Sequence, residues 1–156
     1  MGSRPGGAAE RRKLWAMVSR IEAAVGELLH RRGWRRAFTV AEMVGRWAVL
    51  VEAVERGYPD GPQSYVEDLD CRNWLHEAWL LLDHDTMVVW NQRIKDLDLR
   101  FVTATVYDDG AALGRLHPIA SDALWWWRRH PRLLTGPLGR ALGAAEATGA
   151  DPGGEP

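Results

Sequence analysis

The sequence predicts an all-α protein: a four-helix antiparallel bundle with a helical C-terminal extension and disordered tails. Three observations carry this. Apolar residues recur at steps of three and four in four separate stretches, Thr-x-x-Glu or Ser-x-x-Glu signatures precede two of them, and the links between them are short. The 156-residue chain has the size of one ordinary domain and can bury a core without a disulfide or metal staple. Residues 1–8 and 148–156, rich in glycine at one end and in glycine and proline at the other, are expected to be disordered. That leaves 9–147 as a single helical domain.

The first helix is expected from about Ala9 to Arg32, with Leu14, Val18, Ile21, Val25 and Leu28 on one stripe. Arg31 and Arg32 suit the negative end of its dipole, and Gly33 stops it. The second helix starts at Thr39, whose capping box is closed by Glu42, with Phe38 and Met43 as a hydrophobic staple. Its stripe is Val40, Met43, Val44, Trp47, Leu50, Val51 and Val54, and Gly57-Tyr58-Pro59 ends it. Ser64 and Glu67 repeat the capping box and open a third helix to about Leu82. Cys71, Trp74, Leu75, Ala78, Leu81 and Leu82 lie on one side of it and Leu69 and Leu80 on the other, which predicts cover on more than one face. Asp83 or Asp85 caps a fourth, about Thr86 to Ala104, with Met87, Trp90, Ile94, Leu97 and Phe101 in line. The β-branched run to Tyr107 leans toward strand, but no second strand is evident to pair with it. A loop through Pro118 then leads to Ser121, expected to cap a short helix carrying Trp125, Trp126 and Trp127 and ending at Pro131. A last Ala-rich helix follows Thr135-Gly136-Pro137.

The tryptophan triplet is the most pointed functional feature. Neighbours on a helix diverge by about 100° and on a strand they alternate faces, so no regular element aims three consecutive indoles into one core. At least one ring is therefore expected at a surface, beside Arg128 and Arg129. Trp with Arg is the composition of a binding hot spot. A second candidate is a polar groove around Arg72, Asn73 and His76, with Asp70 and Asp98. Its alternative is structural: Asp68-Leu69-Asp70-x-Arg72 and Asp96-Leu97-Asp98-x-Arg100 can form ion pairs that fix helix register.

Charge is unevenly placed although the net is only −1. Residues 1–46 hold ten Arg/Lys against four Asp/Glu, and residues 47–110 hold thirteen Asp/Glu against five Arg/Lys. Opposite patches of this kind can steer a partner or a second copy of the chain. The basic part, Arg11-Arg12-Lys13 and Arg31, Arg32, Arg35 and Arg36 around Trp34, could neutralise phosphates and stack on a base. The acidic middle and a sequence pI near 6.5 work against nucleic acid as the partner. The lone Cys71 suits a reducing cytoplasm. No apolar run reaches transmembrane length, and no secretory leader is evident.

Chemical signatures are weak. There is no G-x-S-x-G, no C-x-x-C or H-E-x-x-H, and no Gly-rich phosphate loop after a strand. Cys71, His76, Glu77, Asp83, His84 and Asp85 lack the tight spacings of a zinc site. One carboxylate set has a precedent. Glu52-x-x-Glu55 on the second helix and Glu67-x-x-Asp70 on the third, eleven residues apart, resemble the motif of the MazG-related all-α nucleotide pyrophosphatases. The resemblance covers residues 52–70. It implies Mg²⁺ held by Glu52, Glu55, Glu67 and Asp70 against a nucleotide's phosphates. On the helical wheel, however, Glu55 lies at the edge of the apolar stripe and Glu52 well away from it. The favoured expectation is a small cytoplasmic, non-enzymatic protein with no cofactor, acting through a protein partner or self-association. A Mg²⁺-dependent pyrophosphatase and a nucleic-acid-binding regulator stand as the alternatives.

Overall fold

The computed structural model describes residues 6–149, and the chain is mostly helical over that span. The order is α1 (Gly6–Arg31), α2 (Val40–Arg56), α3 (Pro62–Trp79), α4 (His84–Ala104), β1 (Thr105–Tyr107), α5 (Ala111–Leu116), a 3₁₀ turn (Trp125–Arg128), β2 (Arg129–Pro131) and α6 (Gly136–Gly149). Residues 1–5 and 150–156, expected to be disordered, lie outside the described residues. Residues 6–8 and 148–149 were expected to be disordered too, and they instead form helical turns of α1 and α6.

α2 follows its sequence signals closely. Thr39 accepts the Glu42 N–H at 3.1 Å, and all seven residues of the expected stripe are buried. Only half of the capping box forms, because the Glu42 carboxylate turns to Arg36 and Arg46. Fully burying an aliphatic or aromatic side chain contributes about 1.5–3 kcal/mol, so this face anchors the core, with Trp47 against Phe101 at 4.8 Å between ring centroids.

α3 begins earlier than its apparent capping box. Pro62 occupies the first turn after Gly61, and no side chain caps the end. Proline's fixed φ suits that position and its missing N–H costs nothing there. Ser64 is therefore inside the helix, and Glu67 accepts from Gln63 instead. The helix stops at Trp79, three residues early, because Asp83 caps α4 by accepting the Thr86 N–H at 3.0 Å. Leu69 is buried with the Cys71 face, as cover on two sides requires, while Leu80 is exposed.

Two carboxylate–arginine pairs tie the helices together. Arg72 on α3 donates twice to Asp98 on α4, at 3.0 and 2.9 Å, and Asp98 also accepts the Trp47 indole N–H at 3.0 Å. Arg100 on α4 forks onto Glu55 on α2. Between α1 and α4, the buried Glu22 accepts the Trp90 indole N–H at 2.6 Å. Gly26 lets α1 meet the α1–α2 link, since a Cβ there would run into the Phe38 carbonyl oxygen. On α1, Val18, Val25 and Leu29 are buried, Leu28 is half-buried, and Leu14 is exposed.

The C-terminal part departs most from expectation. The strand tendency after Phe101 is satisfied: β1 pairs antiparallel with β2, Thr105 opposite Pro131 and Tyr107 opposite Arg129. That partner is a charged, proline-ended triplet with no strand signature of its own. α5 occupies a stretch expected to be loop. Asp108 starts it by accepting the Gly110 and Ala112 N–H groups, both at 2.9 Å, with Gly110 at φ 81°. Ser121 caps nothing, and the triplet sits on a 3₁₀ turn entered from Leu124.

Candidate functional site

The 3₁₀ turn explains how three adjacent indoles find three separate seats. At three residues per turn, successive side chains diverge by about 120°. Trp126 points into the core and is 1% exposed. Trp125 packs edge-on to Phe101 of α4 at 6.0 Å, and Trp127 stacks on His117 at 6.1 Å between ring centroids. Both flanking rings are half-buried, and Trp127 also borders a cleft, while α3, α4 and the segment after α5 each receive one ring.

Asn73 of α3 holds this arrangement. Its Oδ1 accepts the indole N–H of Trp126 at 2.8 Å and of Trp127 at 2.9 Å. Arg72 lies over the Trp126 ring at 4.5 Å, and His76 meets its edge at 6.0 Å. The arginines after the triplet are occupied as well. Arg128 donates to the carbonyls of Ala123 and Ser121 and pairs with Asp109. Arg129 donates to the Thr105 hydroxyl at 2.8 Å and to the carbonyls of Val102 and Thr105. Arg72, Asn73 and His76 thus sit together with the triplet, as its support.

Two clefts open beside this cluster. The larger, of about 1120 Å³, runs along α2 and α3 beside the α1–α2 link, and its lining holds Arg32, Arg35 and Arg46 together with Glu42, Glu67, Asp68, Asp70 and Glu77. The smaller, of about 510 Å³, lies between α3 and the segment from His117 to Trp127. Trp34, Asp70 and Glu77 line both, so the two clefts adjoin. Trp34 is fixed between them, its indole N–H donating to Glu77 at 2.6 Å. Burial in this concave surface pushes the Asp70 carboxyl above its ordinary range, against a weak hydrogen bond from Asn73 and with the Glu67 charge adding to the rise.

No protein-family model, curated protein or solved structure matches this chain.

The four carboxylates of the pyrophosphatase-like motif are engaged one by one. Glu52 is exposed and pairs with Arg56 on its own helix at 2.8 Å, Glu55 is taken by Arg100, Glu67 accepts from Gln63, and Asp70 faces the clefts. Among the described residues no group of three or more His, Cys, Asp or Glu side chains is placed to hold a metal ion. Arg100 holds the Glu55 carboxyl below its ordinary range, so Glu55 could join a metal only by leaving that arginine. Cys71 is buried, and desolvation pushes its thiol up to about 12, which removes it as a nucleophile. Around Trp34, Arg35 and Arg36 lie over the Phe38 ring at 5.4 and 4.2 Å. Arg36 is further tied to Glu42, which leaves fewer free cations for phosphates than the sequence suggests. Among the described residues no helix is long and apolar enough to cross a membrane.

Sequence reasoning singled out Trp34 and Glu77 separately, for other chemistries, and missed that they join with His117 and Asp122 to shape the smaller cleft. They come from the α1–α2 link, α3 and the α5–turn segment, and no periodic pattern relates them. The His-Pro pair after α5 was the only local sign that the chain turns there.

Proposed function

We propose that this chain is a small, non-enzymatic, cytoplasmic helical protein that works by binding another protein, and that contact is made in the double cleft beside α3. The observation that carries this is that the two clefts adjoin along α3, sharing Trp34, Asp70 and Glu77 in their linings. Together they form a long concave surface of mixed apolar and charged lining, the setting in which binding groups concentrate. The exposed Val49 on the rim of the larger cleft adds apolar surface for a partner to cover. We infer likewise that α1–α4 form one antiparallel four-helix bundle within a single domain. Its support is that α1 and α2 each pack against both α3 and α4.

The test is a capture experiment with the full chain and two charge-bearing surface variants, Ala120→Arg in the smaller cleft and Gln92→Arg on α4. A partner retained by the parent and by Gln92→Arg, and lost by Ala120→Arg, supports the reading. Equal retention by all three overturns it. Sedimentation velocity on the same purified proteins separates a foreign partner from self-association, since the latter produces a dimer in the parent and in Gln92→Arg but not in Ala120→Arg.

A further inference from the structure

We propose that the smaller cleft is a pocket for an organic cation, the ammonium or guanidinium of a lysine or arginine side chain carried by the protein partner. This rests on the reading of the cleft as the binding site and names the chemistry it takes. Its volume of about 510 Å³ suits a long side chain with its polar head.

Three features converge on a cation. The first is charge: the exposed carboxylates of Asp70, Glu77 and Asp122 line the cleft beside His76 and His117, and no lysine or arginine does. Among the described residues none of the three is in a salt bridge. The second is aromatic walls. Trp34 and Trp127 flank the space, and an indole is the best side-chain partner for a cation's charge. The third is preorganisation. Trp34 is tied to Glu77 at 2.6 Å and Trp127 to Asn73 at 2.9 Å, and Asn73 also reaches Asp70 at 3.4 Å. The groups are thus set before a ligand arrives, which lowers the ordering cost of binding. Asp70 is exposed overall, but partial desolvation in the cleft raises its carboxyl, a shift that an incoming cation would oppose. An anion would meet three carboxylates. The cations Arg32, Arg35 and Arg46 line only the neighbouring cleft.

The test follows the indole N–H signals of Trp34 and Trp127 in ¹H–¹⁵N spectra of the full chain. The probes are a blocked Gly-Arg-Gly peptide, its citrulline counterpart, its glutamate counterpart and agmatine. Expected is a saturable shift of both signals with the arginine peptide and none with the citrulline or glutamate peptides. Asp70→Asn with Asp122→Asn is expected to weaken arginine binding by about tenfold or more, with unchanged thermal melting showing that the fold is intact. Citrulline acting as strongly as arginine overturns the cation assignment and leaves the cleft as a binding site. So does an unmoved pair of signals beside a partner lost on Ala120→Arg. Full arginine affinity in the double Asn variant overturns the role of the carboxylates. Agmatine binding more tightly than the peptide overturns the assignment to a protein side chain. A proposal that survives all of these while Ala120→Arg retains the partner leaves the pocket standing and removes the larger reading.

Discussion

Replacing Asn73 with alanine tests the arrangement that seats the tryptophan triplet. Asn73 Oδ1 accepts two indole N–H groups, from Trp126 and Trp127. Trp126 is 1% exposed, so without the acceptor its N–H is stranded away from water, at a cost of about 1–3 kcal/mol. Trp127 is half-buried and can turn its N–H toward solvent, so only the net worth of that bond is lost, about 0.5–1.5 kcal/mol. The expected destabilisation is about 2–4 kcal/mol, or a fall in melting temperature of roughly 5–15 °C for a chain of this size. Chemical denaturation followed by tryptophan fluorescence measures it, and near-ultraviolet circular dichroism reports on the order of the rings. Asn73→Asp keeps the acceptor and adds only a like charge one turn from Asp70, so it should cost less. In a Trp126→Phe background, Asn73→Ala should cost less than in the parent, with a coupling of about 1 kcal/mol or more. An Asn73→Ala protein within about 0.5 kcal/mol of the parent, the range of ordinary surface substitutions, would refute the argument that this side chain organises the site.

Two further outcomes follow from the core. Arg72→Met leaves Asp98 with only the Trp47 N–H, and equilibrium unfolding should show a loss of about 2–4 kcal/mol. Arg72→Met with Asp98→Leu should recover part of that loss, and no recovery would mean that the stranded charge is not what costs. Cys71 should resist thiol reagents at pH 8 in the folded chain and react at once in denaturant. Its thiol is pushed up to about 12 in the fold against about 8.5 in an unfolded chain, so the folded state favours the protonated form. Stability from this source is present below pH 8.5 and lost as pH rises toward the folded value. Cys71→Ala should therefore flatten the decline in melting temperature between pH 8.5 and 10, and an unchanged slope would place the effect elsewhere.

Legibility in the sequence tracked the range of the interaction that fixes each feature. α2 was readable to the residue because its cap, its stripe and its stop are all local: Thr39, the seven buried residues and Gly57 speak within one helix length. The ion pairs were half readable. The repeated Asp-Leu-Asp pattern pointed to register-fixing pairs, but which arginine meets which acid depends on how α2, α3 and α4 lie. Arg72 met Asp98, whereas Arg100 met Glu55, an acid the metal-site reading had claimed. β2, the triplet's seats and the smaller cleft were not readable, since each is completed by residues far away in the chain. Asn73 lies 53 residues from Trp126, and Trp34 lies 43 from Glu77. The same distinction alters what the triplet means. Seen locally, three indoles and two arginines have the composition of a hot spot. In the fold Trp126 is core, Arg128 and Arg129 hold backbone carbonyls, and only Trp127 also borders a cleft. What the triplet contributes to binding is one wall of a pocket whose charge comes from α3 and from Asp122. A variant that merely removes its aromatic rings would therefore damage the fold before it reported on binding, whereas changes at Asp70 and Asp122 address recognition directly.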